Sequence, residues 1–323
     1  MNTRIPDIRF YDFEFKLLHV ENQFTSSNWS ICYNDIGTFE AHFDIESDTL
    51  PFIINNDYLV AVQGDLSAII VGKNLGSDLT IYGRTCNWLL TKRVIDAFAQ
   101  TSGSISVLVP EKVRTAFSDV PFYLGTALTG LPLLTAERSD KCEAFSFVKE
   151  SLDLANLGHR VDFKIAEKRW VFEMIKGNED NPLVISAANR NAYDVVMDGD
   201  LLALCTEGWY KEKQDNNTTE WKKAEKLSIL EKYRTEIYRW EELLPGGSKS
   251  EAEAALNKAR VTDSIQGKTI GLCFGRDYSL GDTVAVEWQS GQYKKRVEKR
   301  IIGVNLWYES GNIGEEPMFE DIE

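Results

Sequence analysis

The chain has 323 residues, 43% of them hydrophobic and 27% charged, with 50 acidic residues against 36 basic ones and a formal net charge of −14. That length holds two or three domains, each with its own core. The charge balance excludes a general phosphate-binding surface, because Lys and Arg supply nucleic-acid affinity by neutralising phosphates. No apolar run approaches the roughly 18 residues that span a bilayer. Residues 1–16 mix charge with aromatics and lack the apolar stretch of a signal region, so synthesis in the cytoplasm is expected. Five cysteines (Cys32, Cys86, Cys142, Cys205 and Cys273) lie far apart with no CxxC pair, which suits small buried residues better than metal or redox use.

Residues 1–83 read as β. Phe39, Ala41, Phe43 and Ile45 alternate with Glu40, His42, Asp44 and Glu46, one dry face and one wet. Tyr58–Val62 and Ser67–Val71 follow as strands, with Gly64-Asp65 as a tight turn between them, and Leu79–Gly83 is another. Over 84–100, Trp88, Leu89, Ile95 and Phe98 suggest a helix ended by Thr101-Ser102-Gly103. Residues 104–140 read as irregular structure with short helices, broken by Gly130 and Pro132. A helix is expected over Cys142–Leu157 through Phe145, Val148, Leu152 and Ala155, with Gly158 at its C-terminal end. A hairpin comes next: Val161, Phe163 and Ile165 in one arm, Trp170, Phe172 and Met174 in the other, Ala166–Lys168 as the turn.

Asp194–Cys205 carries two short apolar runs around Asp198-Gly199-Asp200. A long helix is expected over Glu220–Leu244, where Leu230, Tyr233, Ile237, Trp240 and Leu244 repeat at spacings of three and four and form a candidate assembly stripe. Pro245-Gly246-Gly247 stops it. A second helix starts at Ser248, whose hydroxyl with Glu251 makes a capping-box pattern, and Ala252, Ala255, Leu256 and Ala259 give it a small-residue face. The end of the chain is β again: strands over Lys268–Phe274, Thr283–Trp288, Lys294–Ile301 and Ile302–Tyr308, with a loop over Arg276–Gly281.

Chemistry is sparse. No pair of carboxylates has a distinctive spacing, and solvated surface acids are the simpler reading. His19, His42 and His159 are far apart, without HExxH or a His–Cys cluster, so neither a zinc site nor a histidine-based triad is expected. There is no GxSxG, GxxxxGK[ST] or GxGxxG segment, and the acidic turns at Gly177–Asn181 and Asp194–Asp200 lack calcium-loop spacing. Lys294, Lys295, Arg296, Lys299 and Arg300 form a dense basic run. A basic edge docking on an acidic neighbouring subunit suits a chain of this charge better than nucleic acid does, and an edge strand protected by Lys is the plainer alternative.

The segment Phe274–Val284, FGRDYSLGDTV, resembles the "YGxDYxLGDxV" stretch of tail hub proteins from siphophages of Gram-positive hosts. Arg300–Val304 and Glu316–Phe319 stand where that family has its following strand and its terminal strand. Leu157–Val161 through Lys168–Glu173 and Gly177 is similar to the family's helix and hairpin. Phe13–Leu18, Gly37–Glu40 and Ile81–Arg84 with Leu89, Leu90 and Arg93–Ile95 resemble its opening β domain.

The resemblance implies a β-rich α+β fold with two tail-tube-like β-barrel domains around a helical middle. The expected division is 1–100 for the first tube-like domain, 101–185 for an α+β insertion, 186–267 for a connection with two helices, and 268–323 for part of the second tube-like domain. It implies a structural protein of the virion tail tip and no enzyme, cofactor or metal. It further implies a homotrimeric baseplate hub that contacts the distal tail protein, the tape measure protein and a tip, spike or fibre protein, with DNA passing only through its channel. Asp277, Tyr278, Leu280, Gly281 and Asp282 would form a fixed turn: Tyr278 and Leu280 anchoring it, Gly281 bending it, and Asp282 binding nearby backbone N–H groups. The chain stops about where a hub would, so wall-degrading or receptor-binding activity would belong to another polypeptide. The alternatives are a tail-tip cell-wall hydrolase and an unrelated cytoplasmic binding module.

Overall fold

The computed structural model describes residues 5–200, 205, 207–213, 218–225, 241–244, 249, 252–253, 256, 262–309 and 312–322. The protein is β-rich and divides into two compact units, Met1–Tyr193 with Lys268–Glu323, and Asp194–Gly267.

The first unit begins with β1 (Ile8–Tyr11), β2 (Leu17–Glu21), β3 (Ser26–Cys32), β4 (Thr38–Phe43), the helix α1 (Thr49–Asn55), β5 (Val60–Gln63), β6 (Leu66–Leu75) and β7 (Leu79–Thr85). Alternation decides β4: Phe39, Ala41 and Phe43 are buried while Thr38 and Glu40 are exposed. The β5–β6 hairpin turns at Gly64, whose φ of +62° belongs to glycine. β8 (Val94–Ile95), β9 (Phe98–Ser104), α2 (Ile105–Ala116), β10 (Phe122–Leu124), β11 (Leu133–Arg138), β12 (Cys142–Glu143), α3 (Ala144–Asp153), β13 (Gly158–Lys164), β14 (Arg169–Ile175) and β15 (Val184–Ser186) follow. β13 and β14 form the expected hairpin, Val161 opposite Phe172 and Phe163 opposite Trp170. Helices α2 and α3 pack with it around Val109, Val113, Phe147, Val148, Leu152 and Phe172, all buried.

The second unit holds most of β16 (Ala192–Asp200), then β17 (Glu207–Lys213), β18 (Thr219–Glu225) and β19 (Glu241–Leu243) in the order β18-β17-β19, and most of β20 (Thr262–Thr269), which pairs with β16. Its core gathers Cys205, Tyr210, Ala224, Ala252 and Leu256. The chain then returns to the first unit with β21 (Thr283–Ser290), β22 (Tyr293–Glu309) and β23 (Asn312–Asp321).

Among the described residues the largest sheet has eleven strands in the open order β15-β21-β22-β3-β4-β7-β6-β5-β1-β2, with β23 also on β22. The two ends of the chain therefore share one sheet: Val304 of β22 lies opposite Ile31 of β3, and Leu306 opposite Trp29. Pro317, which has no N–H to give, sits in β23, which among the described residues pairs with β22 alone.

Four expectations about local structure are corrected. The helix over 84–100 is a 3₁₀ turn at Cys86–Lys92 followed by β8 and β9. Asn87 holds that turn, its Oδ1 accepting from Val161 N at 2.7 Å and its Nδ2 donating to Asp35 O at 2.9 Å. The region 104–140, expected as irregular structure with short helices, holds the helix α2, carried by buried Ile105, Leu108, Val109 and Val113 despite Pro110 inside it, and the strands β10 and β11 where irregular chain was expected. The strand over 268–274 is shifted, since β20 ends at Thr269 and Gly271 bends the chain at φ +73°. The two strands over 294–301 and 302–308 are one strand of 17 residues, β22.

The long helix over 220–244 is also corrected at both ends. Residues 219–225 and 241–243 are strands. The physical reason is cross-strand pairing with β17, where Trp221 lies opposite Lys211 and the Lys211 ammonium stands 4.9 Å from the Trp221 ring centre. Leu230, Tyr233, Ile237 and Trp240 of the candidate stripe lie outside the described residues. Leu244 is half-buried, with its N–H donating to Trp209 O at 2.8 Å and its side chain over Gly208. Of the second expected helix, Lys249, Ala252, Glu253 and Leu256 are helical, and Ala252 and Leu256 are buried.

Candidate functional site

The turn singled out in the sequence lies between β20 and β21, at the mouth of the hairpin whose second strand is β22. The carbonyl of Cys273 accepts from the N–H groups of Arg276 (3.1 Å) and Asp277 (2.9 Å), and the Asp277 carboxylate accepts from Cys273 N at 2.8 Å. Gly275 at φ +79° closes the loop by donating to Tyr278 O at 2.8 Å. Arg276 clamps the Asp277 carboxylate at 2.6 Å, and this bond holds that carboxyl below its ordinary range.

Tyr278 is 1% exposed and Leu280 7%. The Tyr278 hydroxyl and Phe274 N both donate to Oε1 of Glu315 on β23, at 3.0 and 2.9 Å. Burial raises the Glu315 carboxyl against these two bonds, and burial with the nearby Glu315 charge raises the Tyr278 phenol. Gly281 has φ +87°, and a Cβ there would stand 2.5 Å from ring atoms of Tyr33.

Asp282 is 6% exposed and fully used. Its Oδ1 accepts from Asn178 N at 2.8 Å, and its Oδ2 from Ser279 N and Asn181 Nδ2 at 2.9 Å each. Thr283 N returns a bond to Asn178 O at 2.9 Å. The five residues of the expected turn are thus brought together, and the acid reaches the Gly177–Asn181 segment about a hundred positions upstream. Replacing Asp282 by Asn turns one acceptor into a donor that faces donors. The expected cost is about 2–4 kcal/mol in urea denaturation, and a loss below about 0.5 kcal/mol would mean the carboxylate does not hold the junction.

Sequence reasoning missed the residue at the centre of this junction, Tyr33. Its N–H donates to Ile302 O (2.7 Å), its carbonyl accepts from His159 N (2.9 Å), and its hydroxyl donates toward Asn156 O (3.1 Å) and Ile175 O (3.0 Å). Three glycines leave room around it. A Cβ on Gly158 or Gly281 would strike Tyr33, and one on Gly177 would lie 1.9 Å from the Gly281 carbonyl carbon. The signal available in the sequence was the set of glycines, each at the start or end of an expected element.

Beside Tyr33, His159 is 0% exposed. Its Nδ1 lies 2.7 Å from Asn34 Oδ1, whose own amide nitrogen donates to Lys149 O and Asp153 Oδ1, so Nδ1–H is the donor. Among the described residues Nε2 has no hydrogen-bond partner, and the Phe172 ring stacks beside the imidazole. Burial pushes this imidazole down to about 3.

The arrangement is backbone amides, carboxylates and glycines in tight register. Among the described residues no group of three or more His, Cys, Asp or Glu side chains could hold a metal ion, and no helix is long and apolar enough to cross a membrane. In the basic run, Lys294 pairs with Glu287 at 2.7 Å, Arg300 donates to Asn156 Oδ1 at 3.0 Å, and Lys299 is 3% exposed.

No protein-family model and no curated protein matches the chain. Solved structures do. A prophage tail protein from Listeria monocytogenes, gp18, superposes with a TM-score of 0.60 at 13% identity, over 96% of this chain and 94% of its own. The tail protein of Neisseria meningitidis gives 0.62 at 11% identity, over 98% and 96% of the two chains. The tail protein of prophage MuSo2 from Shewanella oneidensis gives 0.61 at 10%, over 98% of each. The chain has the β-rich fold of these phage tail proteins. The likeness reaches tail proteins from three bacterial genera and does not single out one host group.

Proposed function

We propose that the chain is a structural component of a phage tail tip: a baseplate hub subunit, three copies of which close into a ring that extends the tail tube. The observation that carries this reading is the extent of the fold likeness, which takes in at least 94% of both chains for each of the three tail proteins. The locked turn fits a part that bears load. In this reading the two ends of the chain together supply the tube-like β unit, with Asp277–Asp282 as a fixed corner at the entry to β21. One face of the ring meets the distal tail protein and the other a tip, spike or fibre protein, while the tape measure protein and DNA pass through the channel. The subunit is made in the host cytoplasm, ends up in the virion, and has no wall-degrading activity of its own.

Three copies of a 36.7 kDa chain weigh about 110 kDa. Light scattering over a wide concentration range should find that mass, or a larger assembly once tail partners are added, and antibody labelling should mark the tail tip. A 36.7 kDa species at every concentration, with partners present and no label on tails, would sink the proposal.

A further inference from the structure

One face of the large sheet is wet, and a single cross-strand row on it is unlike the rest. Gly314, Trp307, Asn28, Glu40, Tyr82 and Gly72 lie directly opposite one another on β23, β22, β3, β4, β7 and β6. Residues opposite one another share a face. Trp307 is 36% exposed and Tyr82 44%, and Asn28 and Glu40 between them are exposed. The next residues along the strands, Trp29, Phe39 and Leu306, are buried on the other side.

Both aromatic rings lie down on glycine. A Cβ on Gly72 would be 2.3 Å from Tyr82 ring atoms, and one on Gly314 would be 2.1 Å from the Trp307 indole. Each ring therefore covers backbone with one face and offers the other to solvent. Their Cα positions are three strand spacings apart, about 14 Å. Between them the Asn28 amide has no hydrogen-bond partner among the described residues, and Glu40 shares His42 with Asp78 at 2.9 Å.

Two flat π-faces joined by an amide and a carboxylate can stack either nucleobases or sugar rings. Charge separates the two. Stacking platforms for single-stranded nucleic acid run along a positively charged groove. Here the row and the rows on either side present Glu40, Glu309 and Glu316 against Arg84 and His42, and the His42 imidazole is already engaged by Glu40 and Asp78. A polyphosphate is repelled. A neutral, hydroxyl-rich chain is not: the C–H face of a pyranose is apolar with a small positive edge charge that suits the negative face of an aromatic ring, and its hydroxyls can both donate to Glu40 and exchange bonds with Asn28.

We infer that this row is a binding site for an uncharged polysaccharide, laid across β22, β3, β4 and β7 with sugar rings on Trp307 and Tyr82. This inference does not depend on the hub reading. Calorimetry on the full chain, with chitohexaose, cellohexaose, dextran and the oligonucleotide dT12 as probes, tests it. At least one neutral glycan should bind saturably at millimolar concentration, dT12 should not, and Trp307→Ala and Tyr82→Ala should each weaken binding about tenfold or more. Because removing a ring uncovers a glycine, Asn28→Lys serves as a fold-neutral variant, and it should weaken glycan binding with unchanged thermal stability. The inference is overturned if none of the three glycans binds, if dT12 binds as well as they do, or if Asn28→Lys leaves glycan binding intact. It is equally overturned if that variant dissociates an oligomer, which would make the face a contact between copies.

Discussion

Replacing Gly177 by Ala is expected to cost at least about 3 kcal/mol, roughly 6–12 °C in Tm, or to prevent folding altogether. The added Cβ would stand 1.9 Å from the Gly281 carbonyl carbon, 2.0 Å from its oxygen and 2.4 Å from Asp282 N. All three are backbone atoms. No rotamer change relieves the clash, so one segment must retreat. Retreat breaks the Asn178 N–Asp282 and Thr283 N–Asn178 bonds together, and it withdraws Gly281 from Tyr33. Gly76 is the control, since nothing lies within 4 Å of its Cβ position. Its Ala variant should stay within about 0.5 kcal/mol of the parent. If urea denaturation finds the two variants alike, the two strand-end segments are not held against each other as described.

The second large effect is on pH. In the unfolded chain His159 titrates near 6.5, and in the folded protein burial pushes it down to about 3, with the Lys149 charge adding to the shift and Asp35 opposing it. Between those values the unfolded state binds a proton that the folded state refuses. Stability from this group is therefore full above pH 6.5, falls as the pH drops, and is fully lost below about 3. The total is about 5 kcal/mol. His159→Gln keeps a side-chain donor for Asn34 but cannot take up a proton. It should lower stability at neutral pH and flatten the acid slope relative to the parent. Carboxylates such as Asp35, raised by burial but lowered further by the Lys149 bond, contribute to the slope of both proteins and drop out of the difference. Equal slopes for parent and variant between pH 6.5 and 4 would remove His159 as the cause.

The sequence made local features readable and left distant ones hidden. The β13–β14 hairpin was legible because its turn, its two alternating arms and the preceding helix all agree over residues 144–175. The Phe274–Asp282 loop was legible because its glycines and Asp277 act within ten positions. What Asp282 holds was not, since Asn178 lies 104 positions away and an aspartate before a strand reads as an ordinary turn. Tyr33 was missed for the same reason, with its hydroxyl partners 123 and 142 positions downstream. β18 was misread because its Lys and Glu favour helix when counted alone, while pairing with β17 decides otherwise. The place and length of α2 within 104–140 were not legible because Val107, Val109, Pro110 and Val113 argue against a helix until packing on α3 and β10 is known.

The joint sheet sets a schedule for the ribosome. β3 ends at Cys32, and the residue it must pair with, Gly303, is made 271 positions later. At the usual pace of synthesis, about 5–20 residues per second, that is a wait of roughly 15–55 s. For that interval β3 can dock on β4 but keeps its other edge open, while residues 194–267 are made and set aside as a separate unit. An open strand edge is a template for the wrong partner. The order of the strands thus makes the newborn chain depend on being kept apart from its own kind until its last thirty or so residues emerge and take the vacant edge.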